Sequence, residues 1–256
     1  MIHRLIAPNP GPMTGTGTNT YLLEDGSGNI AVIDPGPDDP QHLEAILTAA
    51  WGRITTVLVT HRHLDHLPAA RPLCNRTGAV LVGHTQLPGV DKPVQDGERT
   101  FGGLVAIATP GHTDDSLCFW NSSERALFTG DLVAGAGTVV LDQRPGALAD
   151  YLRSLERLLE LQPRRIYPGH GPILGDGQAS AKLAEYLAHR RQREQQILAA
   201  LAEHGPTSVD ELVSAIYPDV LPALVAMAAR NVRAHLDKLA TEHRVAGESD
   251  VWRLNG

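Results

Sequence analysis

Short apolar runs alternate with longer amphipathic stretches over the first part of the chain. Runs rich in aliphatic and β-branched residues predict strands, and stretches with apolar residues three or four positions apart predict helices. Strands and helices in alternating order predict an α/β fold, in which helices cover sheets. The predicted strands are 20–24, 30–34, 54–59, 79–82, 104–109, 116–120, 125–129 and 165–167, and the predicted helices lie near 40–50, 66–76 and 147–161.

The pattern changes after Gly177. Residues 178–203 contain no Gly or Pro and carry apolar residues at helical spacing, which predicts one long helix that ends before Gly205-Pro206. Hydroxyl and acidic residues at 207–211 predict the start of another helix. A further helix is predicted over 223–241, and a hairpin with a Gly-to-Asp turn over 245–254. We therefore divide the chain into predicted domains 1–176 and 177–256.

Composition narrows the class of protein. The chain has 256 residues, 42% of them hydrophobic, which is enough for one substantial core and a smaller domain. A net charge of −7 argues against a nucleic-acid binder that uses its whole surface. The two cysteines, Cys74 and Cys118, are too few for a disulfide framework and are expected to be buried thiols. With no apolar run of signal-peptide or membrane length, we expect a cytoplasmic protein that does not bind membranes.

The candidate chemistry begins directly after the strand predicted at 54–59. Residues 61–66 read His-Arg-His-Leu-Asp-His, so three imidazoles and a carboxylate follow the end of a buried strand. Nitrogen and oxygen donors of this kind bind zinc and similar metals. His61 and His63 can reach one ion because residues two apart on a strand share a face, while Asp65 and His66 can reach a second. The alternative is a solvated polar loop.

Three further strand ends repeat this arrangement. His112, Asp131 and His170 each follow an apolar strand and a glycine. Glycine lets the chain turn sharply and deliver the next side chain into a cleft. A single histidine in such a place is usually structural, but four strand ends of this type in one chain argue against coincidence.

Together these residues resemble the metal-binding signature of the metallo-β-lactamase superfamily, over residues from about 17 to 175. The resemblance implies an αββα sandwich with the metal cleft along one edge. It also implies that Asp34, the last residue of the strand predicted at 30–34, lies behind the ligands and orients one of them; the alternative is a helix-start or turn residue before Pro35-Gly36. The implied ligands are His61, His63 and His112 for the first metal and Asp65, His66 and His170 for the second, with Asp131 bridging both.

Counting donors supports two ions. Seven protein ligands are too many for one tetrahedral zinc, which takes four. We predict two zinc ions, with iron or manganese as alternatives because nitrogen and oxygen donors discriminate weakly among them. A water between paired ions is activated near neutral pH, so the predicted enzyme is a hydrolase in which Asp65 and Asp131 are the catalytic carboxylates.

Within the superfamily the chain is most similar to the β-lactamase-like protein 2 group, which adds a C-terminal winged helix. The segments 9–14, 17–23 and 190–194 carry this resemblance. It leaves two substrates open: a small ester, thioester or lactone, or a single-stranded RNA cleaved at its phosphodiesters. A third alternative is a non-catalytic, metal-containing binding protein. We also consider a homodimer.

Basic residues in the predicted winged-helix-like domain leave its role open. Arg230, Arg233, His235 and Lys238 fall on the last long helix, which in DNA-binding relatives of this fold enters the major groove. Acidic neighbours dilute this charge, so a packing or dimerisation role is the other interpretation. The basic segment 189–194 on the preceding long helix is expected to be a solvated face rather than a polyanion contact.

Overall fold

Two β-sheets lie face to face, each covered on its outer side by helices, in the computed structural model, which describes residues 1–255. The first sheet contains, in spatial order, β1 (Ile2–Ile6), β2 (Asn19–Glu24), β3 (Asn29–Ile33), β4 (Arg53–Leu58), β5 (Val80–His84) and β6 (Lys92–Val94). The second contains β10 (Arg165–Pro168), β9 (Ala126–Gly130), β8 (Leu117–Asn121) and β7 (Val105–Ala108). The outer helices are α1 (Pro40–Ala49), α2 (Ala70–Thr77), α3 (Ala147–Glu160) and α4 (Gln178–His204).

Three apolar layers hold this sandwich together. Tyr21, Phe119 and Phe128 belong to the layer between the sheets, where almost no side-chain surface reaches solvent. A second layer packs α1 and α2 on the first sheet, and a third packs α3 and α4 on the second sheet. Burial of this much apolar surface is the main favourable term in folding. The αββα architecture implied by the family resemblance is confirmed.

Strand direction sets the position of the site. In the first sheet β3, β4, β5 and β6 run parallel, and in the second sheet β10 runs parallel to β9. Parallel neighbours end at the same edge of a sheet, so the segments that follow β3 and β4 leave the first sheet together. The segments after β9 and β10 leave the second sheet in the same way. Both edges contribute to one cleft.

The C-terminal part forms a winged helix, as expected. It contains β11 (Thr207–Ser208), α5 (Val209–Ile216), α6 (Val225–Thr241), β12 (Val245–Glu248) and β13 (Val251–Leu254), with β13 between β11 and β12 in a small sheet. Ser208 caps α5 through a capping box with Glu211, which satisfies otherwise unpaired backbone N–H groups. Val232, Leu236 and Leu239 of α6 are fully buried in this domain's core.

Helix α4 takes part in two cores. Its first half places Leu183 and Leu187 in the layer over the second sheet, and its second half places Ile197 and Leu201 in the winged-helix core. The division at 176/177 stays a prediction. The physical consequence of this double packing is that α4 couples the two parts of the chain mechanically.

The remaining differences from the sequence prediction are local. Strands β1, β6 and β11 were not predicted; they are short, and β1 and β6 are edge strands. The predicted Gly-to-Asp turn of the hairpin is not the turn that the structure contains. Ser249 and Asp250 form the turn with positive φ angles of 51° and 69°, and Gly247 lies inside β12. Glycine is needed there because a Cβ atom would come within 2.7 Å of the Trp252 ring.

Both cysteines are free and buried, as predicted. Burial raises the pKa of Cys118 to about 12, so this thiol stays protonated at neutral pH. Among the described residues no helix combines the length and the apolar character needed to cross a membrane.

His235 on α6 has a buried imidazole ring, and this burial changes the pKa of the ring. Both ring nitrogens lack a hydrogen-bond partner among the described residues. Burial, together with the nearby charges of Arg190, Lys238 and Arg193 and the His189 ring, lowers the pKa of His235 to about 3. The ring is therefore neutral in the folded protein, whereas in the unfolded chain it titrates near 6.5.

This difference predicts a pH dependence of stability. Below about pH 6.5 the unfolded chain takes up a proton that the folded chain does not, so the free energy of unfolding should fall by up to about 1.4 kcal/mol per pH unit towards pH 3. His235→Leu should remove this contribution. Its free energy of unfolding, compared with that of the wild type at the same pH, should therefore be more favourable at pH 5 than at pH 8. Urea unfolding at both pH values measures it, with the exposed His204→Leu as control. Parallel pH curves for His235→Leu and the wild type would contradict the assignment.

Candidate metal centre

All seven predicted ligands follow strand ends and meet in one cleft between the sheets. The loop after β4 supplies four of them, and the segments after β7, β9 and β10 supply one each. Glycine is required at one close approach: a Cβ atom on Gly169 would lie 2.4 Å from Asp131 Oδ1 and 2.7 Å from the His66 ring. The strand–glycine–ligand pattern of the sequence therefore corresponds to real turns at the edge of the second sheet.

The side chains form two groups that share one carboxylate. The ligand-type atoms of each group lie within 4.8 Å of one another. The first group is His61, His63, His112 and Asp131, and the second is Asp65, His66, Asp131 and His170.

In the first group three ring nitrogens converge. His63 Nδ1 lies 3.0 Å from both His61 Nε2 and His112 Nε2. Asp131 Oδ2 lies 3.6 Å from His112 Nε2 and 4.0 Å from His61 Nε2. Burial, together with the neighbouring His66, holds the pKa of His61 well below its usual value. Three ring nitrogens that converge beside a carboxylate provide the donor set that a tetrahedral cation takes.

In the second group the charges are already paired. Asp131 Oδ1 lies 3.4 Å from His66 Nε2, and His170 Nε2 lies 3.1 Å from Asp65 Oδ2. Burial opposes protonation of His66 and His170, but Asp131 and the other nearby carboxylates outweigh it; they raise the pKa of His66 well above its usual value and that of His170 to about 9. A cation that binds here must therefore displace protons, and its affinity should rise with pH.

The geometry fits a metal on two counts. Burial disfavours charge on Asp131, yet His66 and His170 hold the pKa of this carboxyl well below its usual range, so it is ionised. Asp131 Oδ1 is buried and has no hydrogen-bond partner in the described part of the chain. Buried, ionised and incompletely satisfied carboxylates are costly unless a cation or donor compensates them. The cluster is thus of the metal-binding type.

Asp34 lies behind the cleft and orients the rings. Its carboxylate accepts hydrogen bonds from the Thr60 backbone N–H and hydroxyl, both at 2.8 Å, and lies 2.9 Å from His66 Nδ1. Thr60 Oγ1 in turn lies 3.0 Å from His61 Nδ1. These contacts leave the Nε2 atoms of both rings facing the cleft, which supports the orienting role expected for Asp34 over the turn interpretation.

His112 is oriented from a different direction. Its Nδ1 lies 2.7 Å from the Val140 carbonyl oxygen, so that nitrogen carries the proton and Nε2 faces the cleft. The neighbouring Val139 carbonyl accepts a hydrogen bond of 2.9 Å from Arg190 on α4. Arg190 also reaches Asn231 Oδ1 on α6 at 3.3 Å. One guanidinium thus joins the winged helix to the segment that orients a predicted ligand.

The solvated-face interpretation of 189–194 is wrong for Arg190. This residue is only 5% exposed, and its guanidinium lies over the Tyr151 ring at 5.4 Å. The reason lies in the tertiary packing. Helix α4 is covered by the sandwich on one side and by α6 on the other, and sequence periodicity alone does not reveal this. Arg191, by contrast, is exposed and pairs with Glu156 on the surface.

A cavity of about 530 Å³ opens over both groups. Asp65 and Asp131 line its floor, and Met13, Leu64 and Leu141 contribute apolar walls. Leu64 is 82% exposed, which is unusual for leucine and places an apolar side chain at the entrance. The site is therefore open to a ligand of moderate size with an apolar part.

Arg62 does not point into this cavity as an unpaired charge. It forms ion pairs with Asp114 and with Asp115, the latter at 3.0 Å, and lies 3.9 Å from Asp142. Since Asp114 and Asp115 follow His112 in the chain, Arg62 ties together the two loops that carry the first group. No sequence signal singled out this residue, because its partners are distant in sequence.

This chain belongs to the metallo-β-lactamase superfamily. The family model described as metallo-beta-lactamase superfamily matches residues 13–90 and 84–170, and the one described as beta-lactamase associated winged helix domain matches residues 208–252. A metallo-beta-lactamase family protein from Thermus thermophilus is similar in structure, with a TM-score of 0.80 and 24% identity over 99% of this chain and 98% of that one. This likeness reports the fold.

Two curated relatives span nearly the whole chain. A protein of Caenorhabditis elegans named beta-lactamase-like protein 2 homolog is 35% identical over 94% of this chain and 84% of its own length. A protein of Cryptosporiopsis named atrochrysone carboxyl ACP thioesterase is 31% identical over 96% of this chain and 81% of its own length. The superfamily membership and the histidine–aspartate cluster together define a metal-dependent hydrolase.

Metal content tests the two groups separately. His112→Ala should leave one tightly bound metal equivalent, because only the first group loses a donor, and Asp131→Ala should weaken both equivalents. Elemental analysis after reconstitution and dialysis measures the ratio, with His204→Ala as a control outside the cluster. Two equivalents retained in Asp131→Ala, with an unchanged circular dichroism spectrum, would contradict a shared carboxylate.

Loss of the Arg190 contacts should act on the first group selectively. We expect Arg190→Met to weaken metal binding there by up to about 10-fold, because Arg190 holds the carbonyl next to Val140, the direct partner of His112, and loss of such a direct partner costs about 10- to 100-fold. Arg190→Lys should recover part of the affinity for this metal. The neighbouring Arg191→Met should leave metal affinity unchanged, because exposed ion pairs such as that of Arg191 contribute little. Competition with a chromophoric chelator gives both affinities. Equal weakening of the two metals would indicate a general loss of stability instead.

Proposed function

We propose that this protein is a dinuclear, zinc-dependent hydrolase that uses water to cleave a carboxylic thioester, ester or lactone. The observation that carries the proposal is the pair of donor groups sharing Asp131 at the floor of an open cavity. Each group has four donors of nitrogen and oxygen type, which matches zinc; iron and manganese accept the same donors. When bound, a pair of such ions lowers the pKa of a water molecule towards neutrality and polarises the group that is attacked.

In this proposal His61, His63 and His112 hold one ion, Asp65, His66 and His170 hold the other, and Asp131 contacts both. Asp34 and the Val140 carbonyl keep the rings in the required tautomers. The chain supplies no separate nucleophile in this scheme: the attacking oxygen comes from water and the thiol or alcohol leaves with a proton.

Asp65 is the carboxylate best placed to handle that proton. It lines the cavity and is only partly buried. Burial opposes ionisation, but the hydrogen bond from His170 outweighs it and holds the pKa of Asp65 below its usual value. An ionised carboxylate at the cavity floor can accept a proton from water and return it to the leaving group.

Three features support a small acyl substrate. The cavity has apolar walls around an otherwise polar floor, which suits the acyl part of an ester or thioester. The net charge of −7 disfavours long polyanions. A relative at 31% identity carries the name of an acyl-carrier-protein thioesterase.

The alternative is the single-strand endoribonuclease of the β-lactamase-like protein 2 type. The basic residues expected to contact nucleic acid offer it little support: His235 is buried in the winged-helix core, and Lys238 pairs with Glu194 at 2.6 Å and Glu242 at 2.7 Å. A non-catalytic metal protein is supported still less, because structural zinc sites are closed, whereas this cluster adjoins a cavity.

Parallel assays distinguish these functions. The metal-loaded protein should hydrolyse acyl thioesters with a rate that chelator abolishes and that changes little between 50 and 200 mM salt. An endoribonuclease would instead cleave a fluorogenic single-stranded RNA and lose affinity steeply as salt rises, because phosphate contacts release counterions. Asp131→Ala should lose turnover at least about 100-fold if the ions carry the chemistry; near-normal turnover in this variant would overturn the proposal.

A further inference from the structure

A second cleft lies where the winged helix meets the catalytic part. It has a volume of about 140 Å³ and is formed by the segment Val140–Arg144 on one side and by α6 on the other. Its polar walls come from Asp142, Arg144, Arg230, Asn231, Arg233 and Asp237. The face of α6 that in DNA-binding proteins of this fold would read a groove is thus turned towards the rest of this molecule.

The cleft adjoins the metal cavity. Residues Val140–Gln143 line both spaces, so one short segment forms their common wall. A molecule that occupies both spaces has to cross this segment, with its reacting group over the metal cluster and its other end beside α6. Neither the metal donor groups nor the proposed chemistry uses this second space.

Basic side chains outnumber acidic side chains in the lining of the cleft. Three guanidinium groups and two carboxylates line the cleft, and two of the guanidinium groups also pair with carboxylates outside it, Arg144 with Asp150 and Arg233 with Asp250. One of the two lining carboxylates, Asp142, also lies 3.9 Å from Arg62 and 3.7 Å from Arg144, so its charge is compensated. Burial raises the pKa of the other, Asp237, against the opposing effect of Arg233.

Several donor groups have no acceptor within the described residues. Arg230 is exposed and forms no ion pair or side-chain hydrogen bond there. Arg144 Nε is buried without a hydrogen-bond partner, although its terminal nitrogen pairs with Asp150. Asn231 Oδ1 is held by Arg190, which leaves the amide NH₂ of Asn231, a donor, for another partner. The buried Arg144 Nε without a partner, beside the exposed Arg230 without an ion pair among the described residues, favours a ligand that accepts hydrogen bonds and carries negative charge.

We infer that this cleft binds the phosphate-bearing end of the substrate, which is then an acyl thioester of a phosphorylated pantetheine-type thiol such as coenzyme A. The inference rests on the proposed thioesterase function and specifies its substrate class. Guanidinium groups bind phosphate oxygens in pairs and with charge assistance, which suits Arg230 and Arg144. The thioester end then lies over the metal cluster and the acyl group against the apolar cavity walls.

Two substrates with the same acyl group separate this role from the chemistry. An acyl-coenzyme A carries the phosphates, and the corresponding acyl-N-acetylcysteamine thioester lacks them. In Arg230→Gln we expect KM for the coenzyme A thioester to rise about 10-fold with little change in kcat, and both constants for the truncated thioester to stay unchanged. Arg230→Lys should fall between wild type and Arg230→Gln, since lysine keeps the charge but loses the planar pair of donors.

The matched control is Arg253→Gln, which removes an exposed arginine from β13 outside the cleft. Equal changes for both thioesters, or none for the coenzyme A thioester, would overturn the inference while leaving the proposed hydrolase intact. If the wild type hydrolyses neither thioester, the thioesterase part of the proposed function fails, and calorimetry with coenzyme A alone still decides on the cleft: weaker binding by Arg230→Gln supports it, and equal binding overturns it. Weaker binding of a single-stranded oligonucleotide, with coenzyme A unaffected, would assign the cleft to nucleic acid.

Discussion

The position of Asp131 between two sets of imidazoles is the constraint on which the site depends. Its Oδ2 lies near His61 and His112 of the first group and 3.3 Å from His170 of the second group, and its Oδ1 faces His66. The loop after β4 leaves one sheet and Asp131 follows a strand of the other, so the sheets must keep a closely fixed relative position for both groups to form. The apolar layer between the sheets, with Tyr21, Phe119 and Phe128 fully buried, provides that rigidity.

The predictable part of the site is the part that local sequence controls. His112, Asp131 and His170 follow strands whose apolar runs and glycines are legible in the sequence, so their arrival at a sheet edge could be predicted. That they share one cleft came from the family resemblance. The strands β1 and β6 escaped prediction because they are short edge strands with weak alternation. The roles of Arg62 and Arg190 escaped because their partners lie 41 or more residues away, and charged residues at helical spacing usually indicate solvent.

The winged helix packs closely against the metal-binding part of this chain. A module appended only for recognition would need few contacts with the sandwich, yet α4 contributes apolar residues to both cores, and α6 forms a wall of a cleft beside the metal cavity. Burial of His235 and the pairing of Lys238 with Glu194 follow from the same packing, since both residues lie on α6 where it meets α4. The charge on α6 therefore cannot be interpreted from sequence without its neighbours.

A continuous series of contacts runs from this module to the cluster. Asn231 on α6 accepts from Arg190 on α4, Arg190 donates to Val139, and the next carbonyl, that of Val140, accepts from His112. The same segment, continued to Arg144, forms the wall between the metal cavity and the second cleft. A ligand that displaces this segment would therefore alter the orientation of His112, because the Val140 carbonyl fixes its tautomer. The orientation of His112 and the proposed recognition of a substrate tail therefore involve one stretch of backbone, which Arg190 helps to hold.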